Sequence, residues 1–167
     1  MRNLIKTMDT DKVKIEKRIM VVEDDLGISR LISYNLSKNG FNSECVYDGL
    51  EAQEKLTKEV FDLVLLDVML PGIDGFRICK SIKENPAAFK TFVVMLTARS
   101  ESQDKLYGSL VGADYYLTKP FSVTRLIEIV KELLSLRDKD YSVDTHTFVK
   151  QQETLYENVF KKQLQAK

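Results

Sequence analysis

A surplus of charge of either sign is missing from this sequence: its 25 lysines and arginines are matched by 25 aspartates and glutamates. Neither end carries a dense basic block, so nothing supports broad electrostatic attraction to nucleic acid or to an acidic membrane. Cysteine is scarce. Cys45 and Cys79 stand far apart and without a metal-type spacing, which points to two reduced structural thiols rather than a disulfide framework or a zinc site. Long apolar runs are lacking at the start, where Lys6, Lys12, Lys14 and Lys17 alternate with Asp9, Asp11 and Glu16. That mixture excludes a signal peptide or membrane anchor there and leads us to expect a cytoplasmic protein.

What is present suits one ordinary soluble domain with a short appendage, since 167 residues at 44% hydrophobic can bury a real core but would crowd two domains. From Arg18 onward, short apolar runs alternate with amphipathic stretches of helical length. The runs are I-M-V-V (19 to 22), F-D-L-V-L-L (61 to 66), F-V-V-M-L (92 to 96) and Y-Y-L (115 to 117), with an edge candidate near Ser43 to Val46. Between them Ile28, Leu31, Ile32 and Leu36 recur at helical spacing and stop at Asn39-Gly40. Further helices are expected at about 48 to 58, 73 to 84, 101 to 110 and 122 to 136. Alternation of this kind predicts an α/β fold, a doubly wound five-stranded parallel sheet in a three-layer α/β/α sandwich that ends near Arg137. Residues 1 to 17 and 138 to 167 read as extensions. In the second, Val149, Tyr156, Phe160 and Leu164 predict a helix over about 144 to 165 with an apolar stripe.

In open parallel sheets ligands bind beyond the carboxyl ends of the strands. Those positions hold Glu23, Asp24 and Asp25 after the first run, Asp67 after the third, Thr97 and Ala98 after the fourth, and Lys119-Pro120 after the fifth. Several carboxylates brought together repel one another unless a cation sits among them, and Mg²⁺ takes oxygen ligands of this sort. Each residue also has a plainer explanation. Acidic residues after a strand often cap the next helix, which accounts best for Asp25. Asp67 can be a loop residue, Thr97 a cap and Lys119 a solvated cation, and only their conjunction in this chain order argues for a site.

The motifs V-V-E-D-D (21 to 25), L-L-D-V-M-L-P-G-I-D-G (65 to 75), M-L-T-A (95 to 98) and G-A-D-Y-Y-L-T-K-P-F-S (112 to 122) resemble those of two-component response-regulator receiver domains, a likeness spanning about residues 18 to 137. The resemblance implies a flavodoxin-like sheet in the order 2-1-3-4-5. It implies that Asp67 accepts a phosphoryl group from a histidine kinase or a histidine phosphotransfer protein. Mg²⁺ would be held by Asp24, Asp67 and the Met69 carbonyl, with Glu23 acting through water. Lys119 would pair with the phosphoryl group, Thr97 would donate to one of its oxygens, Tyr116 would be the switch aromatic, and the Lys119-Pro120 bond would be cis. Backbone amides near Val68 and Ala98 could add charge neutralisation. The protein would then be a phosphorylation-controlled signalling switch rather than an enzyme, with self-phosphorylation and slow autodephosphorylation at Asp67.

Some positions depart from the branch whose dimers use a charge ladder. Asp114 and Lys105 keep compatible charges, but Tyr115, Arg125 and Ile129 replace charged partners, which leaves monomer and dimer both open. The last thirty residues or so are too short for a winged-helix domain, so no DNA-binding domain is visible. The single histidine, His146, lies in the tail, so a phosphohistidine donor must be another protein. The cognate kinase and the downstream target are not legible. A haloacid-dehalogenase-like phosphatase needs a second aspartate where Met69 stands, and a flavin binder would meet repulsion from Glu23, Asp24 and Asp25. A degenerate receiver acting as a constitutive interaction module would lack a pocket residue, and none is missing.

Overall fold

The computed structural model describes residues 17–98 and 111–140, with side chains through 137. The stretch 101 to 110, the tail helix expected over 144 to 165 and most of the first extension lie outside the described residues. Five parallel strands form one sheet: β1 (Arg18–Val22), β2 (Asn42–Val46), β3 (Leu63–Asp67), β4 (Phe92–Thr97) and β5 (Tyr115–Thr118). Among the described residues four helices connect or follow them: α1 (Leu26–Lys38), α2 (Gly49–Lys58), α3 (Gly75–Glu84) and α4 (Val123–Asp140). The strand order is β2-β1-β3-β4-β5, as the resemblance implied. The chain reverses direction across the sheet between β1 and β3, and the carboxyl ends of those two strands therefore frame the natural ligand crevice.

Strict alternation along each central strand divides the core in two. Met20, Val22, Val64, Leu66, Val93 and Met95 face α2 and α3, where they meet Ala52, Leu56, Phe76, Ile78 and Ile82. Ile19, Val21, Leu63, Leu65, Val94 and Leu96 face α1 and α4, among Ile32, Leu36, Leu126, Ile129, Val130 and Leu133. All of β3 is buried because helices cover both faces of the sheet, so that strand reads as a continuous apolar run.

Local chemistry sets the element ends, and some differ from expectation. Strand β3 begins at Leu63 rather than Phe61; just ahead of it the Asp62 carboxylate accepts the Arg18 amide at its Oδ2 at 2.7 Å and pairs with Arg137, whose Nε lies 3.2 Å from its Oδ1. Helix α4 runs to Asp140, past the expected 136, with the Arg137 guanidinium donating to the carbonyls of Asp62 and Lys90. Leu31 was expected on the core face of α1 and is instead 48% exposed; Ser29, Ile32 and Leu36 form the buried face. Helical spacing alone allows either stripe, and the packing against the sheet selected the one starting at Ser29. The helix ends where Gly40 takes φ 80°, with the Phe41 amide donating back to Leu36 O at 3.0 Å. Both cysteines are free, Cys45 half-buried and Cys79 buried. Burial pushes the Cys79 thiol up to about 12.

Among the described residues no helix is long and apolar enough to cross a membrane.

Candidate functional site

The ends of β1, β3, β4 and β5 bring Glu23, Asp24, Asp67, Thr97 and Lys119 to one edge of the sheet. Asp67 is the last residue of β3 and only 5% exposed. Its Oδ1 accepts the Met69 amide at 3.0 Å and its Oδ2 accepts the Lys119 ammonium at 2.8 Å. Lys119 also donates to Glu23 Oε2 at 2.6 Å, so one cation bridges two buried carboxylates. The peptide bond after it, Lys119-Pro120, is cis, as the resemblance implied.

Glu23, Asp24 and Asp67 offer carboxylate oxygens that all lie within 4.8 Å of one another. Glu23 is 1% exposed and Asp67 nearly as buried, whereas Asp24 opens to solvent. Burial raises the Glu23 pKa above its ordinary value, and the neighbouring Asp67 raises it further against the opposing hydrogen bond from Lys119. Burial by itself would lower the Lys119 ammonium, but hydrogen bonds to Asp67 and Glu23 outweigh it, and its pKa is raised. Three carboxylates face one ammonium, so the cluster retains negative charge and an all-oxygen donor set. This is the chemistry of a hard divalent cation site, and Mg²⁺ fits it.

The Asp25 carboxylate stands outside the cluster. It is the N-cap of α1, its Oδ1 accepting the Gly27 and Ile28 amides at 2.8 and 3.0 Å. Beside the carboxylates opens a cleft of about 490 Å³ lined in part by Asp24, Val68, Met69, Pro71, Thr97 and Ala98. Thr97 closes β4 and is buried, and the Lys119 amide donates to its carbonyl at 2.6 Å. Tyr116 is partly buried with its ring against the core on the α2 and α3 side.

One expectation is narrowed here. The Val68 amide is not available to a ligand, because it donates to Leu96 O at 3.0 Å and so continues the β3–β4 ladder; the Met69 amide is the one turned toward Asp67. On the α4 and β5 surface, the positions compared with a charge ladder are engaged within the fold. Ile129 is 1% exposed and sits in the core, and Asp114 is committed within the fold to Lys83 at 2.6 Å and to the Val93 amide at 2.7 Å. Tyr115 and Arg125 pair with each other, Tyr115 Oη accepting from the guanidinium at 3.1 Å.

One site residue escaped the sequence reading. Gly75 opens α3 directly against the Asp67 backbone, where a Cβ would lie 2.1 Å from the Asp67 carbonyl oxygen. Only glycine permits that approach. The signal was present as the second glycine of P-G-I-D-G, but its reason is a tertiary contact.

The chain matches the family model described as the response regulator receiver domain over residues 19–131. Among solved structures it is similar to the beryllofluoride-activated receiver domain of DrrB, a Thermotoga maritima OmpR/PhoB homologue. The two are 36% identical with a TM-score of 0.66, over 72% of this chain and 99% of that one. It is also similar to the chemotaxis response regulator CheY4 of Vibrio cholerae, at 30% identity and a TM-score of 0.67 over 71% of this chain and 98% of that one. A third likeness is to the signal receiver domain of a signal transduction histidine kinase from Syntrophus aciditrophicus, at 31% identity and a TM-score of 0.70, covering 77% and 97%.

Proposed function

We propose, from the premise that this chain belongs to the response-regulator receiver family, that Asp67 is its phosphoacceptor and that residues 18 to 137 form the receiver unit between two extensions. The observation that carries the assignment is the placing of Asp67 between the acidic pair Glu23 and Asp24 and the Lys119 ammonium, beside the cleft. The partner is a histidine kinase or a histidine phosphotransfer protein, and the switch works in the cytoplasm.

In the forward step an Asp67 carboxylate oxygen attacks phosphorus while the bond from phosphorus to the donor's imidazole nitrogen breaks, its electron pair leaving with the donor. The transition state is loose, with charge on the equatorial oxygens, so the site has chiefly to position groups and neutralise charge. Asp24, Asp67 and the Met69 carbonyl would hold Mg²⁺, with Glu23 acting through water. Held there, Mg²⁺ would supply neutralisation of the charge on the phosphoryl oxygens. Lys119, already on Asp67, follows the phosphoryl group, and the Thr97 hydroxyl donates to a phosphoryl oxygen. Drawing Thr97 inward opens space for Tyr116 to turn, which remodels the β5 surface; a few kcal/mol of differential contact suffices for such a shift. Small phosphodonors serve the same step, and hydrolysis of the acyl phosphate resets the switch.

Incubation with acetyl phosphate and Mg²⁺ tests this. Mass spectrometry should find one phosphoryl group on the wild-type protein and none on Asp67→Asn. Equal labelling of the variant would remove Asp67 from the role.

A further inference from the structure

Strand β5 has four residues and lies at the edge of the sheet, where among the described residues β4 is its one neighbouring strand. Yet it delivers Lys119, whose ammonium lies within hydrogen-bond distance of both Asp67 and Glu23. A short edge strand with one neighbour is weakly held along its own axis, and a slip of one residue moves it by about 3.3 Å and turns every side chain to the other face. Something must fix the register.

The fixing group sits just before the strand. Asp114 clasps Val93 of β4 at two points, its amide donating to Val93 O at 2.9 Å and its Oδ2 accepting the Val93 amide at 2.7 Å. The carboxylate thus completes the ladder where a main-chain carbonyl would otherwise stand. Lys83 of α3 then donates to the same Oδ2 at 2.6 Å and to Thr91 O at 2.8 Å. Thr91 in turn donates its hydroxyl to Phe61 O at 2.7 Å, just ahead of β3, the strand that ends in Asp67. The clasp therefore references β5 to β4, to α3 and to the start of the phosphoacceptor strand.

Both side chains of the pair are mostly enclosed, 19% exposed for Lys83 and 10% for Asp114. Desolvation makes such a pair a poor source of net stability compared with apolar packing. Lys119 lies five residues further on, about 16 Å along an extended strand, so Asp114 touches none of the reacting groups.

We propose that Asp114, held by Lys83, is a positioning residue for the chemistry at Asp67: it sets the axial register of β5 at which Lys119 meets the phosphoacceptor. This rests on the function proposed above.

The test uses the full chain and four variants: Asp114→Ala, Lys83→Met, Lys119→Ala and the double variant of Asp114→Ala with Lys119→Ala. Asp114→Ala should slow phosphorylation by acetyl phosphate about tenfold or more, since a misplacement of about 1 Å can cost about a hundredfold. Its affinity for Mn²⁺, read by titration, should stay within about twofold, because the acidic ligands stand on β1 and β3. Amide exchange should quicken at Leu117, Thr118 and Lys119 and not at Leu65 or Leu66. In the Lys119→Ala background the same substitution should slow phosphorylation no further, since the group being positioned is gone. Lys83→Met should reproduce the effect in weaker form. An additive loss in the double variant, or unchanged β5 exchange in Asp114→Ala, would overturn the proposal. Should Asp114→Ala fail to fold, Asp114→Asn keeps an acceptor for Val93 while removing the charge partner of Lys83, and the same readouts apply. If the wild-type protein takes no phosphoryl group at Asp67, the proposed function fails instead, and the exchange experiment still decides the register.

Discussion

Asp24 and Asp25 are neighbours in sequence and are held by different things. Asp25 spends its carboxylate on two amides at the head of α1, and Asp24 faces the cleft beside Glu23 and Asp67. Removing the cap should cost about 1 kcal/mol of stability. Asp25→Ala is therefore expected to lower the urea midpoint while leaving Mg²⁺ affinity nearly unchanged. Asp24→Ala should do the reverse, weakening Mg²⁺ far more than it weakens the fold. Titration calorimetry alongside urea unfolding separates the two, and equal losses of affinity would mean that the roles are wrongly divided.

At the scale of elements, burial decides what an apolar side chain is worth. Leu65 lies in a strand enclosed on both faces, while Leu31 sits on the outer side of α1. Truncating Leu65 to alanine should cost about 2–5 kcal/mol, through lost transfer energy and the cavity left behind. Truncating Leu31 should cost no more than about 0.5 kcal/mol, as for other surface substitutions. Chemical denaturation of the two variants checks this, and comparable losses would place Leu31 in the core after all. The same reasoning explains the limits of helical periodicity in α1, where apolar residues occur on two overlapping stripes and only the facing sheet chooses between them.

For the whole molecule, the site carries a stability cost that depends on pH. Glu23 in the folded protein holds its proton above the ordinary 4.5, first because it is buried and then because Asp67 is near. Its contribution favours folding fully below that ordinary value and is lost as pH rises through the raised one. Near neutrality the ionised Glu23 thus opposes folding. Lys119 has the opposite role: its raised pKa contributes stability that is fully present below the ordinary 10.5 and is lost only as pH climbs through the raised value. Glu23→Gln keeps an acceptor for Lys119 and removes the buried charge, so without metal it should melt higher than wild type at pH 7.5. The gap should close below about pH 4.5. Saturating Mg²⁺ should reverse the order, because the ion stabilises by mass action the protein that binds it better. A wild-type protein that melts higher than the variant in the metal-free state at neutral pH would contradict this account.

The alternation of strands and helices and the set of groups at the strand ends were legible in the residues alone. Both follow from local chemistry: unbroken apolar runs demand two covered faces, and Asp, Thr and Lys stand out because apolar residues precede them. The motifs also carried the family and, through it, the strand order. It took the packed fold to show that Val68 spends its amide on Leu96, that Gly75 must lack a side chain beside Asp67, and that Ile129 is core. The fold likewise decided that Asp114 meets Lys83 and the Val93 amide within it. In each case the partner is distant along the chain, and a residue's type states what it can bond to without stating which bond the packed fold leaves it free to make.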